Sequence, residues 1–214
     1  MNKRVVDSTK KRKVLAIIYV EGDTEVEFYK KMIAYFKSKY GRRLPCEVKI
    51  CNLKGVGQYQ TKAHRIFTKK IKVDYPDSKY IYKIFLCYDT DVFEFAKKPL
   101  VNWEEVVKSL YESGAHNVCQ VKADKSIEDW FLYDSIGLKK FLKAPKKDDI
   151  SNYKGLDGLK KLFFKYNKTY IKGNHCKGLV DCFDMKKIFP NICNQIHVIC
   201  ETMGMNCSDG KCEE

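Results

Sequence analysis

What the chain lacks narrows its chemistry first. It carries ten cysteines, yet no two stand as Cys-x-x-Cys, the tight spacing that structural zinc sites use. No Gly-x-x-x-x-Gly-Lys-Ser/Thr stretch occurs, which removes a P-loop nucleotide site. Gly55-Val56-Gly57 is only a fragment of a dinucleotide loop, without the third glycine or the following acid, and reads as a loop near an active sheet edge. There is no internal repeat. No apolar run is long enough to span a bilayer. The run before Glu21 ends in acids and offers no small-residue cleavage site. Lys3, Arg4, Lys10, Lys11, Arg12 and Lys13 therefore read as a basic tail, residues 1–13, that leads into a core strand, with no membrane partner expected. Acids are the scarce charge. Forty-one Lys and Arg against 27 Asp and Glu leave +14, which favours a polyanionic partner such as nucleic acid. Lysine outnumbers arginine, so the excess suits sequence-independent phosphate attraction more than base reading.

What is present describes a folded α/β chain. At 214 residues, 44% hydrophobic and 13% aromatic, it is long enough for one domain with a real core. Cys46, Cys51, Cys87 and Cys119 fall in expected strands as small hydrophobes, which points to a reducing, cytoplasmic setting. The organising stretch is Val14-Leu15-Ala16-Ile17-Ile18-Tyr19-Val20-Glu21-Gly22-Asp23-Thr24-Glu25. Its apolar run reads as a strand buried on both faces, as in a parallel sheet. Gly22 then turns the backbone, and Asp23 or Thr24 caps a helix carrying Val26, Phe28, Tyr29, Met32, Ile33 and Phe36, which fades near Tyr40-Gly41.

Further along, 46–53 alternates as a strand and 58–73 reads as a lysine-rich helix. The stretch 80–88 is a second strongly buried strand that runs into Asp89-Thr90-Asp91. A helix over 103–113 closed by Gly114 and a strand over 118–121 follow. Ser126 is placed to cap a short helix bearing Glu128 and Asp129. This alternation predicts a parallel sheet of about four strands flanked by helices, over 14–142. Beyond the polar linker 143–149, helices are expected over 156–166, 180–188 and 191–203, a helical extension (143–205) packed on the sheet domain. Residues 206–214 read as a flexible tail.

Glu21, Asp89, Asp91 and Glu128 thus come from the ends of three strands on one sheet edge, where open α/β sheets bind ligands. Carboxylates so grouped suit a hard divalent cation, Mg²⁺ in particular, and the Asp-x-Asp pair turns both side chains the same way. Such ions activate water and stabilise a leaving oxygen in phosphodiester cleavage.

Val20-Glu21-Gly22-Asp23-Thr24-Glu25, Tyr88-Asp89-Thr90-Asp91 and Ser126-Ile127-Glu128-Asp129-Trp130-Phe131-Leu132 together resemble the motifs of the TOPRIM domain, in the branch of the OLD-like and RloB-like nucleases of bacterial anti-phage defence. The resemblance covers roughly 14–135. It implies a TOPRIM-like, Rossmann-like sheet and a Mg²⁺- or Mn²⁺-dependent endonuclease acting on DNA or RNA, transfer RNA included. By position, Glu21 would act at the reacting phosphate as metal ligand or acid/base. Asp89, Asp91 and Glu128 would hold metal, with Glu25 a second-site ligand. OLD-like nucleases also use a later lysine, for which Lys172 is the first candidate and Lys177 the second. Their usual ATPase domain has no counterpart here, so a separate ATPase partner is one arrangement and a chain acting alone is the other. The competing reading is a non-catalytic subunit that keeps the fold and binds nucleic acid or a partner; a third is strand joining or nucleotide transfer.

Smaller features are assigned as follows. Cys193, Ile196, Cys200 and Met203 share a helix face and make a candidate homodimer surface. His175-Cys176 is the sole pairing that fits a cysteine nucleophile. Trp130 reads as a core anchor in preference to a base-stacking platform.

Overall fold

The computed structural model describes residues 11–39, 43–94, 101–174, 176, 178–205, 207–208 and 211–212. The basic residues Lys3, Arg4 and Lys10 of the tail, the end of the first helix at 40–41, and His175 and Lys177 lie outside them.

Four strands, β1 (Lys13–Val20), β2 (Cys46–Asn52), β3 (Tyr80–Asp89) and β4 (Asn117–Ala123), form one all-parallel sheet in the order β2-β1-β3-β4. β1 is central, and Leu15 through Val20 are all fully buried, as its continuous apolar run predicts. Alternate residues feed two cores. Ala16, Ile18 and Val20 pack with α1 (Asp23–Lys39) and with the C-terminal helices. Leu15, Ile17 and Tyr19 pack with the crossover between β2 and β3 and with α2 (Trp103–Glu112). The result is a sheet covered by helices on both faces, a Rossmann-like α/β arrangement.

The β2–β3 crossover is helical over 56–74, but its turns vary in width. Val56–Gln58 is a 3₁₀ turn, Tyr59–Ala63 and Phe67–Ile71 are π turns, and His64–Ile66 and Lys72–Asp74 are α turns. After β4 come α3 (Ile127–Leu132), α4 (Ser135–Leu142), α5 (Gly155–Lys165) and α6 (Met185–Thr202).

Two expectations are corrected by the structure, the helix division and the dimer face. The helices anticipated over 180–188 and 191–203 are a 3₁₀ turn, Val180–Cys182, followed by one continuous helix that carries Pro190 in its interior. Asp184 starts that helix by accepting from the Lys186 N–H at 3.0 Å. The candidate dimer face is interior: Cys193, Ile196 and Cys200 are fully buried and Met203 nearly so, all in the core shared with β1. The segment read as a flexible tail contains a short antiparallel pairing of Cys207–Ser208 with Lys211–Cys212.

Candidate functional site

β1 and β3 are neighbours, and the chain leaves the carboxyl end of β1 toward one face of the sheet, into α1, and that of β3 toward the other, into α2. That is the switch point at which an open α/β sheet leaves a crevice. Glu21 is the first residue beyond β1 and Asp89 the last of β3. The Asp89 N–H donates to Glu21 Oε1 at 3.1 Å, which ties the two strand ends together across the crevice.

Asp89 is almost wholly buried, and its two oxygens do different jobs. Oδ1 accepts from the Ile127 N–H at 3.0 Å and so caps α3. Oδ2 meets the Lys172 ammonium at 2.8 Å. The same Nζ donates to both oxygens of Asp91, at 3.1 and 2.9 Å. Both acids of the Asp-x-Asp pair therefore converge on one cation, which here is the lysine.

Asp91 is held by its backbone N–H, which donates to the Lys125 carbonyl at 2.9 Å, while the Thr90 hydroxyl accepts from the Lys125 N–H at 2.8 Å. Ser126, expected to cap α3, does not do so through its side chain: its buried hydroxyl has no hydrogen-bond partner among the described residues. Asp89 has taken that place from another element.

Glu128 and Glu25 complete the cluster. Tyr170 donates to Glu128 Oε1 at 2.9 Å, and Glu128 Oε2 is buried with no hydrogen-bond partner among the described residues. Glu25, in the first turn of α1, has Oε2 in the same condition. A cavity of about 10 Å³, room for one water, is lined by Glu21, Glu25 and Asp89 among others. Carboxylate oxygens are the donors that a hard divalent cation takes, and Glu21, Glu25 and Asp89 supply them here beside apolar side chains and Cys87. No trio of ligating side chains is already gathered around one point among the described residues.

The electrostatics follow from burial. Burial raises the Glu21 carboxyl, partly offset by the Asp89 N–H and by Lys172. Burial also pushes Glu25 to about 7, opposed by a backbone N–H and reinforced by Glu128 and Glu21. Burial works against charge on both Asp89 and Lys172 as well. For the lysine it is outweighed by Asp89, by hydrogen bonds to Asp89 and Asp91, and by Glu128, so the ammonium is held charged.

The loop that brings Lys172 in is fixed by backbone contact. The Asp23 N–H donates to the Gly173 carbonyl at 2.8 Å, and Thr24 Oγ1 donates to the Asn174 carbonyl at 2.6 Å. A Cβ on Gly22 would lie 2.5 Å from Gly173 Cα. Gly22 is thus needed for close approach between two chain segments, beyond the turn that its position suggests. Asp23 itself is turned outward, accepting from Asn52 Nδ2 at 2.6 Å and from Lys54 Nζ at 2.9 Å. The Gly55 N–H donates to the Glu21 carbonyl at 2.8 Å, so that loop does border the crevice.

Glu21, Asp89, Asp91, Glu128, Glu25 and Lys172 are therefore brought to one place. Tyr170 and Gly173 are site residues that pattern reading passed over, although they flank Lys172 in sequence. Trp130 is buried against Phe28, its Nε1 donating to Gln195 at 3.2 Å, so it is not presented for stacking. The Cys176 thiol is raised by burial, the reverse of an activated nucleophile. A scan against family models and searches of curated proteins and of solved structures returned no match.

Proposed function

We propose that this chain is a divalent-metal-dependent phosphodiesterase of nucleic acid, a TOPRIM-type endonuclease acting on DNA or RNA. The observation that carries the reading is the convergence of Asp89 and Asp91 on the Lys172 ammonium at the crevice, beside Glu21 and the unpartnered oxygens of Glu25 and Glu128. Buried acid oxygens without donors are costly unless something positive satisfies them. That fits a resident Mg²⁺ or Mn²⁺, which Asp89, Asp91 and Glu128 would hold, with Glu21 and Glu25 as further ligands. The ion would supply charge neutralisation and an activated water.

The remaining roles belong to the chain's own groups. Glu21, its carboxyl raised by burial and pinned by the Asp89 N–H, is placed to move a proton at the reacting phosphate. Lys172 is a charged donor in a part-buried setting, where stabilising negative charge that grows on phosphoryl oxygens is most effective. The Gly22–Gly173 contact holds it there.

The second reading, a non-catalytic binding subunit, draws on the same contact: Lys172 already neutralises Asp89 and Asp91 as a metal would. One experiment separates the two. Labelled plasmid DNA and total transfer RNA are incubated with Mg²⁺, Mn²⁺ or EDTA and with wild type, Glu21→Ala, Asp89→Ala or Lys172→Ala. The expected result is metal-dependent cutting of one substrate class, reduced about a hundredfold or more in each variant. Absence of cutting, together with no Mn²⁺ binding by calorimetry that depends on Asp89, would sink the enzyme reading in favour of the binding subunit.

A further inference from the structure

A second concave feature lies away from the crevice, along the outer edge of the sheet. It is lined by edge strand β2 and the approach to it, by α1, and by the start of β1. Lys11, Arg12 and Lys13 come from the start of β1, and Lys30 and Lys37 from α1, where seven residues is two turns and keeps both on one face. Arg43 and Lys49 come from the approach to β2 and from the strand itself. Glu47 is the single acid among the lining residues, and Lys13 already pairs with it at 3.0 Å. Among the described residues the other six cations have no ion pair.

The lysine-rich helix over 56–74 differs in this respect. Lys62 is used on the Leu53 carbonyl, and Lys72 on Asp77 and the Ser113 carbonyl, so part of its charge is already structural.

We propose that this groove is the docking track for a nucleic-acid strand, held through its phosphates without regard to sequence and led toward the acid crevice. Three observations fix the occupant. The cations come from three segments that meet at the sheet edge, Lys11, Arg12 and Lys13 at the start of β1, Lys30 and Lys37 on α1, and Arg43 and Lys49 at β2, which matches a line of phosphates better than one acidic side chain. Five of the seven are lysines, point charges suited to phosphate attraction. No aromatic side chain lines the groove, so base stacking does not contribute and salt dependence is steep. The track points at the site. Two residues beyond the groove, Asn52 reaches Asp23, and Lys54 reaches the same carboxylate at the rim of the crevice.

This inference rests on the nuclease reading for its direction, and its test does not. Anisotropy of a fluorescein-labelled single-stranded oligonucleotide is measured in EDTA, so that no cutting occurs, across a salt series. The triple variant Lys30→Glu/Lys37→Glu/Lys49→Glu is compared with Lys160→Glu/Lys161→Glu/Lys186→Glu, which changes net charge equally on the C-terminal helices. All six lysines are exposed, and circular dichroism verifies the fold of each. The groove variant is expected to bind about tenfold or more weakly near 0.1 M salt and to flatten the log K against log salt slope by roughly 2 to 3. The control variant stays within about threefold. Equal losses in both variants, or none in the groove variant, overturn the track. Displacement by polyglutamate as effective as by unlabelled oligonucleotide overturns nucleic acid as its occupant. Glu21→Gln, by contrast, loses cutting and keeps full affinity in EDTA, so failure of the enzyme reading and failure of the track are told apart.

Discussion

Five carboxylates and one ammonium share the crevice, and Glu25 is the acid whose protonation can be followed. Its side chain is 6% exposed, one oxygen lacks a donor, and its carboxyl rises from the usual 4.5 to about 7 through burial first and then Glu128 and Glu21. The folded chain therefore keeps this proton at pH values where the unfolded chain has lost it. The associated stability is complete below about 4.5 and is lost as pH climbs through about 7, on the order of 3 kcal/mol in all. Glu25→Gln, melted in EDTA across that window, should show a flatter fall of Tm with pH than wild type. Parallel curves for the two proteins would mean that Glu25 is ionised in the fold. Gly22 is the other residue whose demand comes from outside its own segment. Its sequence context explains a turn, whereas the 2.5 Å that would separate any Cβ at this position from Gly173 explains why nothing larger than hydrogen fits.

At the scale of elements, the features legible in the sequence are those set by local periodicity. The strands were readable because β1 and β3 are continuous apolar runs, and the acids at their ends follow from where those runs stop. Caps were less legible, because the partner comes from elsewhere in the chain. Ser126 sits at the N-terminus of α3 as a sequence signal demands, yet the orphan N–H of Ile127 is satisfied by Asp89, and the serine hydroxyl is buried without a partner among the described residues. Ser126→Ala should accordingly leave the unfolding free energy within about 0.5 kcal/mol of wild type, or raise it, where loss of a working cap costs about 1 kcal/mol. A denaturant titration showing a loss of that size would restore the serine as the cap. The helix over 56–74 was legible as a helix but not in its winding. Tyr59, Ala63, Phe67 and Ile71 are all buried at four-residue intervals. An α-helix turns about 40° too far at each such step, and the wider π turns reverse that drift and keep the stripe on the sheet. The break expected between 188 and 191 is absent for the opposite reason: Ile188, Ile192 and Ile196 pack in one core and hold a single helix across Pro190, a residue that locally argues against continuity.

At the scale of the whole molecule, the C-terminal extension and the sheet domain are one folding unit. Leu159, Leu162 and Phe163 of α5 and Ile188, Ile192 and Ile199 of α6 belong to the same core cluster as Ala16, Ile18 and Phe28. That face of the sheet has no other cover beyond α1, α3 and α4 among the described residues. The crevice depends on the extension as well, since Lys172 and Tyr170 both come from it and would be lost with it. A chain ending at Leu142 keeps all four strands and every acid of the site, so sequence motifs alone give no reason for it to fail. The packing does: Phe131 would lose Phe183, Trp130 would lose Gln195, and Asp89 would be left buried without its counter-ion, a state that costs several kcal/mol on its own. The truncated chain should therefore show no cooperative thermal transition and should bind a hydrophobic dye such as ANS, while the full chain melts in one step. A single sharp transition from the 1–142 fragment would show that the sheet and its first helices hold their core unaided, and that the extension serves the site alone.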